Sequence, residues 1–399
     1  MPITATTASG HHDVAVLGLG LVGAAALRYL AEAGLRCVGV GPIEPAEWGT
    51  HSGVFASHYD SGRITRRLDK QREWAMLAGR AIDAYGGIEA ASGITFHHPV
   101  GVVIAEVDPG RLAATVAVGD SLGVSFERFA PGARFDDARI SLPGTATVLH
   151  EPAPGGFIDP RRMLAAQLAV ATAHGASVVN EQALRVEAKS TGGWTVHTAE
   201  GSSVDAEHIV VATGPHADEL DGLPRRPHID VVAETTVLAR VGAAEQERLA
   251  GLPSILVDDP THDHLYSVPP TDYPDGHTYV KLGATHRTEM VLAPTERREW
   301  MRGTQHEADL DWLRGLLLEL LPGLRADAWL TKPCLIPDTP TSLPYVEIVA
   351  AGCVMAVGGN GYAAKSADAI GALAAGLVVN GGWTDVELDA ERFRLISRD

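Results

Sequence analysis

Three glycines, Gly18, Gly20 and Gly23, stand at G-x-G-x-x-G spacing directly after the apolar run Asp13-Val14-Ala15-Val16-Leu17. This pattern can hold a pyrophosphate. Gly18 permits a tight turn, Gly20 lets an anion approach the backbone, and Gly23 lets helix and strand pack closely. A helix opening at the turn offers unpaired N–H groups and a partial positive charge to the phosphates. The plain alternative is an ordinary glycine-rich turn. A second corner, Gly358-Gly359-Asn360-Gly361, lies late in the chain between a strand-like and a helix-like run and repeats the logic. A third candidate is the loop Glu47 to Arg67, which ends with Arg63, Arg66 and Arg67. Guanidinium groups hold carboxylate or phosphate as planar forks; otherwise these arginines are a solvated helix start.

The elements that must position these groups can be read from hydrophobic pattern. Val14–Leu17, the helical run from Ala24, and Leu35–Val40 form a βαβ unit. The second strand ends at Gly41-Pro42, where an acid for the ribose hydroxyls is the usual residue. Glu44, three residues on, can take that place from the loop, or backbone groups do so; the bland reading of Glu44 is a solvated acid. A helix is expected from Gln71 to Tyr85, short β-like runs over Ile94–His150, and a helix over Arg161–His174. A strand at Ser177–Val179, carrying Val178, then precedes a hairpin, Leu184–Ala188 with Trp194–Thr198. His208–Val211 reads as a buried parallel strand running into Ala212-Thr213-Gly214. Four strands then follow, Val231–Val241, Ser254–Val257, His264–Val268 and His277–Leu282, with a helix at Asp309–Leu321. A strand at Cys353–Val357 and a helix at Ser366–Val379 close the order. The fold class is α/β with an α+β second domain. A Rossmann-like βαβ domain (1–93, 152–227, 334–399) is interleaved with a mixed or antiparallel-sheet substrate domain (94–151, 228–333).

With 399 residues, 45% of them hydrophobic, one or two packed domains are expected. The net charge of −18, from 50 acidic and 32 basic residues, speaks against nucleic acid as a partner. Cys37, Cys334 and Cys353 are odd in number and fit no metal motif, so no metal site is expected and a reducing cytoplasm is the natural compartment. Val14–Val22 is too short to span a bilayer, so no membrane role is expected. Met1–His12 reads as a short disordered lead rather than a signal peptide.

Taken in order, the N-terminal glycine turn, Ser57-His58 to Arg66, Ala212-Thr213-Gly214, Lys281-Leu282-Gly283, and Lys332-Pro333-Cys334 with Gly359-Asn360-Gly361 resemble the D-amino-acid-oxidase-like flavoprotein superfamily, and most its monomeric sarcosine oxidase branch. The resemblance covers Val14 to about Val379 and implies FAD as cofactor. It implies thioether attachment of the flavin at Cys334, with Lys332 or nearby dipoles favouring the thiolate; the alternative is a structural cysteine beside noncovalent FAD. Arg66 matches the family's substrate-carboxylate arginine, and Arg63 one against the flavin face. Lys365 comes two positions later than the family's second carboxylate ligand. Lys281 matches a lysine that promotes reaction with O₂, where a cation stabilises developing superoxide. Tyr266 matches a pocket tyrosine, His58 keeps the first half of a His-His pair, and His286 lies one position beyond a pocket histidine. Ile336-Pro337 stand where relatives carry a tyrosine. Val178, Thr213 and Gly214 join Gly18, Gly20, Gly23, Glu44, His58, Cys334, Gly359 and Gly361 in the cofactor set. The function implied is oxidation of a secondary or N-substituted amino acid to an imine by a monomer, with O₂ reduced to H₂O₂. A flavin dehydrogenase serving another acceptor and, more remotely, an NAD-dependent dehydrogenase are the alternatives.

Overall fold

The computed structural model describes residues 11–132, 135, 137–259, 264–285 and 290–398. His286 and Met1–Gly10 lie outside the described residues.

The strand His12–Leu17 runs parallel to Cys37–Val40 on one side and Ser203–Val211 on the other. Its residues from Val14 to Leu17 are fully buried, as a central parallel strand covered on both faces requires. The same sheet continues through Ser177–Val179, and Cys353–Val357 pairs parallel with Ser203–Val211. The expected hairpin forms as Ala183–Ala188 and Trp194–Thr198. On one face lie the helices Leu21–Glu32, Arg72–Ser92, Pro160–Ala173 and Ala363–Asn380, whose apolar residues share one core with the sheet.

A second sheet of nine strands is built on Asp230–Arg240. That strand pairs antiparallel with Ala328–Asp338 over its whole length, from Asp230 opposite Asp338 to Arg240 opposite Ala328. Its other edge pairs with Thr278–Ala284, and the helix Leu310–Leu320 packs beneath through Leu313, Leu316, Leu317 and Leu320. A third sheet joins Arg63–Thr65 to Gly156–Ile158 and His97–His98, which converts the end of the expected polar loop into a strand and fixes where Arg63 points.

Three points differ from the sequence expectations. The segment read only as short β runs contains a helix, Pro109–Ser121. Asp108 caps it by accepting from the Arg111 N–H, and Pro109 occupies the first turn; this Asp-Pro signal was present in the sequence. The helix Pro294–Arg302 was also missed. The helix expected to end at Tyr85 continues to Ser92 and stops at Gly93, whose φ is +68°.

Candidate active site

The N-terminal turn is built as its spacing requires. Gly18 has φ of +89°, and a Cβ there would lie 2.5 Å from the Ala212 carbonyl oxygen. A Cβ at Gly23 would lie 1.9 Å from the Gly18 oxygen. Gly20 differs: the nearest atom to its missing Cβ is His58 Nδ1 at 3.8 Å, so the space before the helix is open. Among the described residues no side chain caps that helix, which leaves its first N–H groups to bind an anion. Gly41 explains the absent acid. A Cβ there would stand 2.5 Å from the Leu19 backbone nitrogen, so no side chain fits at the end of that strand.

One cavity of about 900 Å³ opens from this turn. Gly18, Gly20, His58, Thr213, Gly214, Gly359 and Gly361 line it, as do Cys334, Arg63, Arg66, Lys365 and Tyr266. The two glycine corners, distant in sequence, therefore face one space. Gly23 sits behind the turn as a packing residue. Burial, then Arg161 and Arg63, push the His58 imidazole down to about 3, so it is neutral near pH 7. Thr213 Oγ1 is buried with no partner among the described residues, a donor or acceptor awaiting a ligand. An elongated molecule with an anionic middle fits this surface: open helix N–H groups for phosphates, and polar atoms left unsatisfied along the strand end. These residues fit FAD.

Besides Gly23, two candidates of the cofactor set are not on the cavity wall. Glu44 is held by Arg161, which donates from Nε at 2.5 Å and Nη2 at 2.7 Å. Val178 is 4% exposed and packs into the core; Gln182 and Ala183 line the cavity instead.

The charged side chains form two clusters, each around a buried aspartate. Asp60 accepts from Arg63, from Lys281 Nζ at 2.5 Å and from the Tyr273 hydroxyl at 2.7 Å. Burial alone would raise its carboxyl, but Lys281 and Arg63 together hold it well below the usual range. Arg63 Nη2 also reaches Cys334 Sγ at 3.4 Å. Burial pushes the Cys334 thiol up, and Arg63 is the leading group opposing that shift. Arg63 is thus the cation that touches the sulfur, while Lys332, expected with nearby dipoles to favour the thiolate, lies against Trp48. Its ammonium stands 4.6 Å from the Trp48 ring centroid, and burial pushes it down to about 8. Lys281 is 1% exposed, donates also to the Gly62 oxygen at 2.9 Å, and is absent from the cavity wall.

In the second cluster, Asp69 accepts from Lys365 Nζ at 2.6 Å and from Arg66 Nη2 at 3.4 Å. Lys365 enters from the first turn of the helix Ala363–Asn380 and is 2% exposed. Burial, then Arg66, push its ammonium down to about 8 against the pull of Asp69. Arg66 Nε is buried without a partner among the described residues. The two cations share Asp69 as their one hydrogen-bonded anion among the described residues, and both lie on the cavity wall. Sequence reasoning missed Asp60, Asp69 and Glu234; the last accepts the Tyr266 hydroxyl at 2.5 Å.

Comparison with known proteins agrees with this geometry. Residues 13–377 match the family described as FAD dependent oxidoreductase, DAO. The chain is similar to monomeric sarcosine oxidase from Bacillus sp. (strain NS-129), at 24% identity over 94% of both chains. It is likewise similar to the Streptomyces avermitilis protein of that name, at 24% identity over 93% of this chain and 94% of the other. Among solved structures, the open form of NikD, an unusual amino acid oxidase essential for nikkomycin biosynthesis, superposes with a TM-score of 0.76 at 22% identity, covering 98% of each chain. Glycine oxidase from Geobacillus kaustophilus gives 0.72 at 20% identity, covering 98% of this chain and 100% of the other. The fold, the paired glycine corners and a match over most of the chain converge: this protein belongs to the DAO family of FAD-dependent oxidoreductases.

Proposed function

We propose that this enzyme oxidises the C–N bond of a secondary or N-substituted amino acid to an imine, with O₂ as acceptor and H₂O₂ as product. The observation that carries the reading is Arg66 and Lys365 meeting at Asp69 on the wall of the cavity that the glycine corners share. Bound FAD supplies the two-electron acceptor chemistry. Arg66 and Lys365 clamp the substrate carboxylate through charge-assisted hydrogen bonds. This holds the C–H bond beside the amine in a reactive geometry. Ile336 and Pro337, in place of a tyrosine, leave that wall apolar and suit a substrate bulkier than N-methylglycine, including cyclic imino acids. Cys334 is the proposed attachment point of the flavin, supported by the Arg63 contact to its sulfur. Lys281 is the proposed promoter of reoxidation. The resemblance supports a monomer, and the free cysteines Cys37, Cys334 and Cys353 support a reducing cytoplasm. The two sheets support a division into cofactor and substrate domains, and since Ala328–Asp338 belongs wholly to the second sheet, we place that domain's end after Asp338.

One observation favours a second reading, a dehydrogenase passing electrons to another carrier. The Lys281 ammonium is already committed to Asp60 and the Gly62 carbonyl. Peroxide release during a screen of N-substituted glycines and cyclic imino acids tests the oxidase. Flavin reduction by an amino acid followed by slow reoxidation in air favours the dehydrogenase. No reduction by any of them removes both.

A further inference from the structure

Of the carboxylates on the cavity wall that serve neither the glycine corners nor the Arg66–Lys365 pair, one stands opposite Cys334. Glu234 lies on Asp230–Arg240 directly opposite Cys334 on the antiparallel partner strand. Opposed residues of such a pair project from the same face, so Glu234 stands beside the proposed flavin attachment point. Its Oε1 accepts the Tyr266 hydroxyl at 2.5 Å. Among the described residues, its Oε2 accepts no hydrogen bond. The charged and titratable groups felt around it are Tyr266, Cys334 and Arg63, and Arg63 is already bonded to Asp60. A carboxylate with one bonded oxygen and one open oxygen, in a cavity otherwise lined here by Val232, Ala233 and Thr235, is a receptor for a cationic donor.

We propose that Glu234, held by Tyr266, is the amine-recognition and proton-accepting group of this enzyme, so that the site selects α-ammonium carboxylates. The inference rests on the reading of Arg66 and Lys365 as the carboxylate clamp. The substrate is then bound at both ends of its zwitterion by different walls of one cavity. Glu234 Oε2 takes an N–H proton and becomes the neutral acid, leaving the amine with its lone pair. That pair can then form the C=N bond as the adjacent C–H bond breaks, and FAD, where bound, would supply the two-electron acceptor for the hydride. The substrate leaves as the iminium ion, and Glu234 returns its proton to water once the site opens. Tyr266 is a positioning residue in this step: it fixes one carboxylate oxygen and leaves the other for the amine.

The test titrates flavin-loaded enzyme with L-proline and with tetrahydrofuran-2-carboxylate, its counterpart with oxygen in place of N–H, following the flavin absorption spectrum. Without O₂, the rate of flavin reduction is also read. The wild type should bind L-proline about tenfold or more tightly than the oxygen counterpart, the scale of one charge-assisted hydrogen bond. Glu234→Gln should erase that preference by weakening L-proline alone, and slow flavin reduction about 100-fold, as loss of a proton acceptor does. Equal loss for both ligands, no loss for either, or a wild type that does not prefer L-proline overturns the proposal. Should Glu234→Gln fail to retain flavin, Tyr266→Phe must reduce the preference for L-proline; an unchanged preference overturns it as well. Arg66→Ala probes the clamp separately, since it should weaken both ligands alike. If it weakens neither, the clamp reading fails whatever Glu234→Gln shows.

Discussion

The two aspartate clusters have the same parts and different uses. Each sets one buried aspartate between an arginine three residues away and a buried lysine far along the chain. Around Asp60 the donors are spent. Lys281 gives one bond to Asp60 and another to the Gly62 oxygen, and Arg63 is divided among Asp60, the Ser57 oxygen and Cys334. Around Asp69 the donors are in excess. Lys365 makes one side-chain bond, and Arg66 Nε makes none among the described residues. The difference lies in backbone carbonyls. Gly62 and Ser57 complete the first cluster, and among the described residues no carbonyl completes the second. A completed cluster positions its neighbours, while an incomplete one binds a ligand.

The largest expected effect separates the clusters by stability. Asp60→Ala leaves Lys281 buried without its counter-ion and should cost about 3–5 kcal/mol in denaturant unfolding. Asp69→Ala leaves cations that face the cavity and should cost distinctly less. Equal losses would break the comparison.

Next is substrate affinity. Arg66→Ala should raise KM for carboxylated substrates about 10- to 100-fold, the scale of one or two charge-assisted hydrogen bonds, with flavin content unchanged. Arg63→Ala should instead reduce flavin retention, measured as the absorbance ratio of flavin to protein. If the two variants exchanged phenotypes, the assignment of ligand binding to the second cluster would be lost.

A pH effect follows from Lys365, whose ammonium is lowered from 10.5 to about 8. Carboxylate binding needs the charged form, so affinity should be level below pH 7 and weaken as pH rises through about 8. Lys365→Arg should remove that limb, because arginine stays charged. The stability sign is opposite. Between about 8 and 10.5 the unfolded chain holds the extra proton, so the cost of burying Lys365 is relieved as pH rises. An affinity that strengthened above pH 8 would contradict the clamp.

The smallest effect is that of Lys281→Met, which should slow reoxidation of the reduced enzyme by O₂ while leaving reduction nearly intact. An unchanged reoxidation rate in stopped-flow would make Lys281 a structural partner of Asp60 and nothing more.

The same contrast explains what the sequence made legible. The glycine corner works through backbone geometry within six consecutive residues, so Gly18, Gly20 and Gly23 carry their own explanation. The clusters work through side chains 221 and 296 residues apart, for Lys281 with Asp60 and Lys365 with Asp69. An aspartate in a loop looks solvated until its partner arrives, so Asp60 and Asp69 carry no signal in the sequence alone. Glu44 shows the converse: near the right strand end, it is captured by Arg161 from the start of another helix. Distance along the chain puts Lys365 two positions late. The helix beginning at Ala363 turns it into the cavity. The helix Pro109–Ser121, by contrast, carried a local cap signal that outweighs the β character of its surroundings.

The central claim is that one cavity holds the flavin and the amino acid together. Its most direct test is the visible absorption spectrum of the purified protein during anaerobic titration with N-substituted glycines and cyclic imino acids. The expected result is a flavin spectrum that bleaches with at least one of them in the wild type, and far less readily in Arg66→Ala. A protein without flavin bands even after FAD is added back, or flavin bands that none of these amino acids alters, would contradict the account.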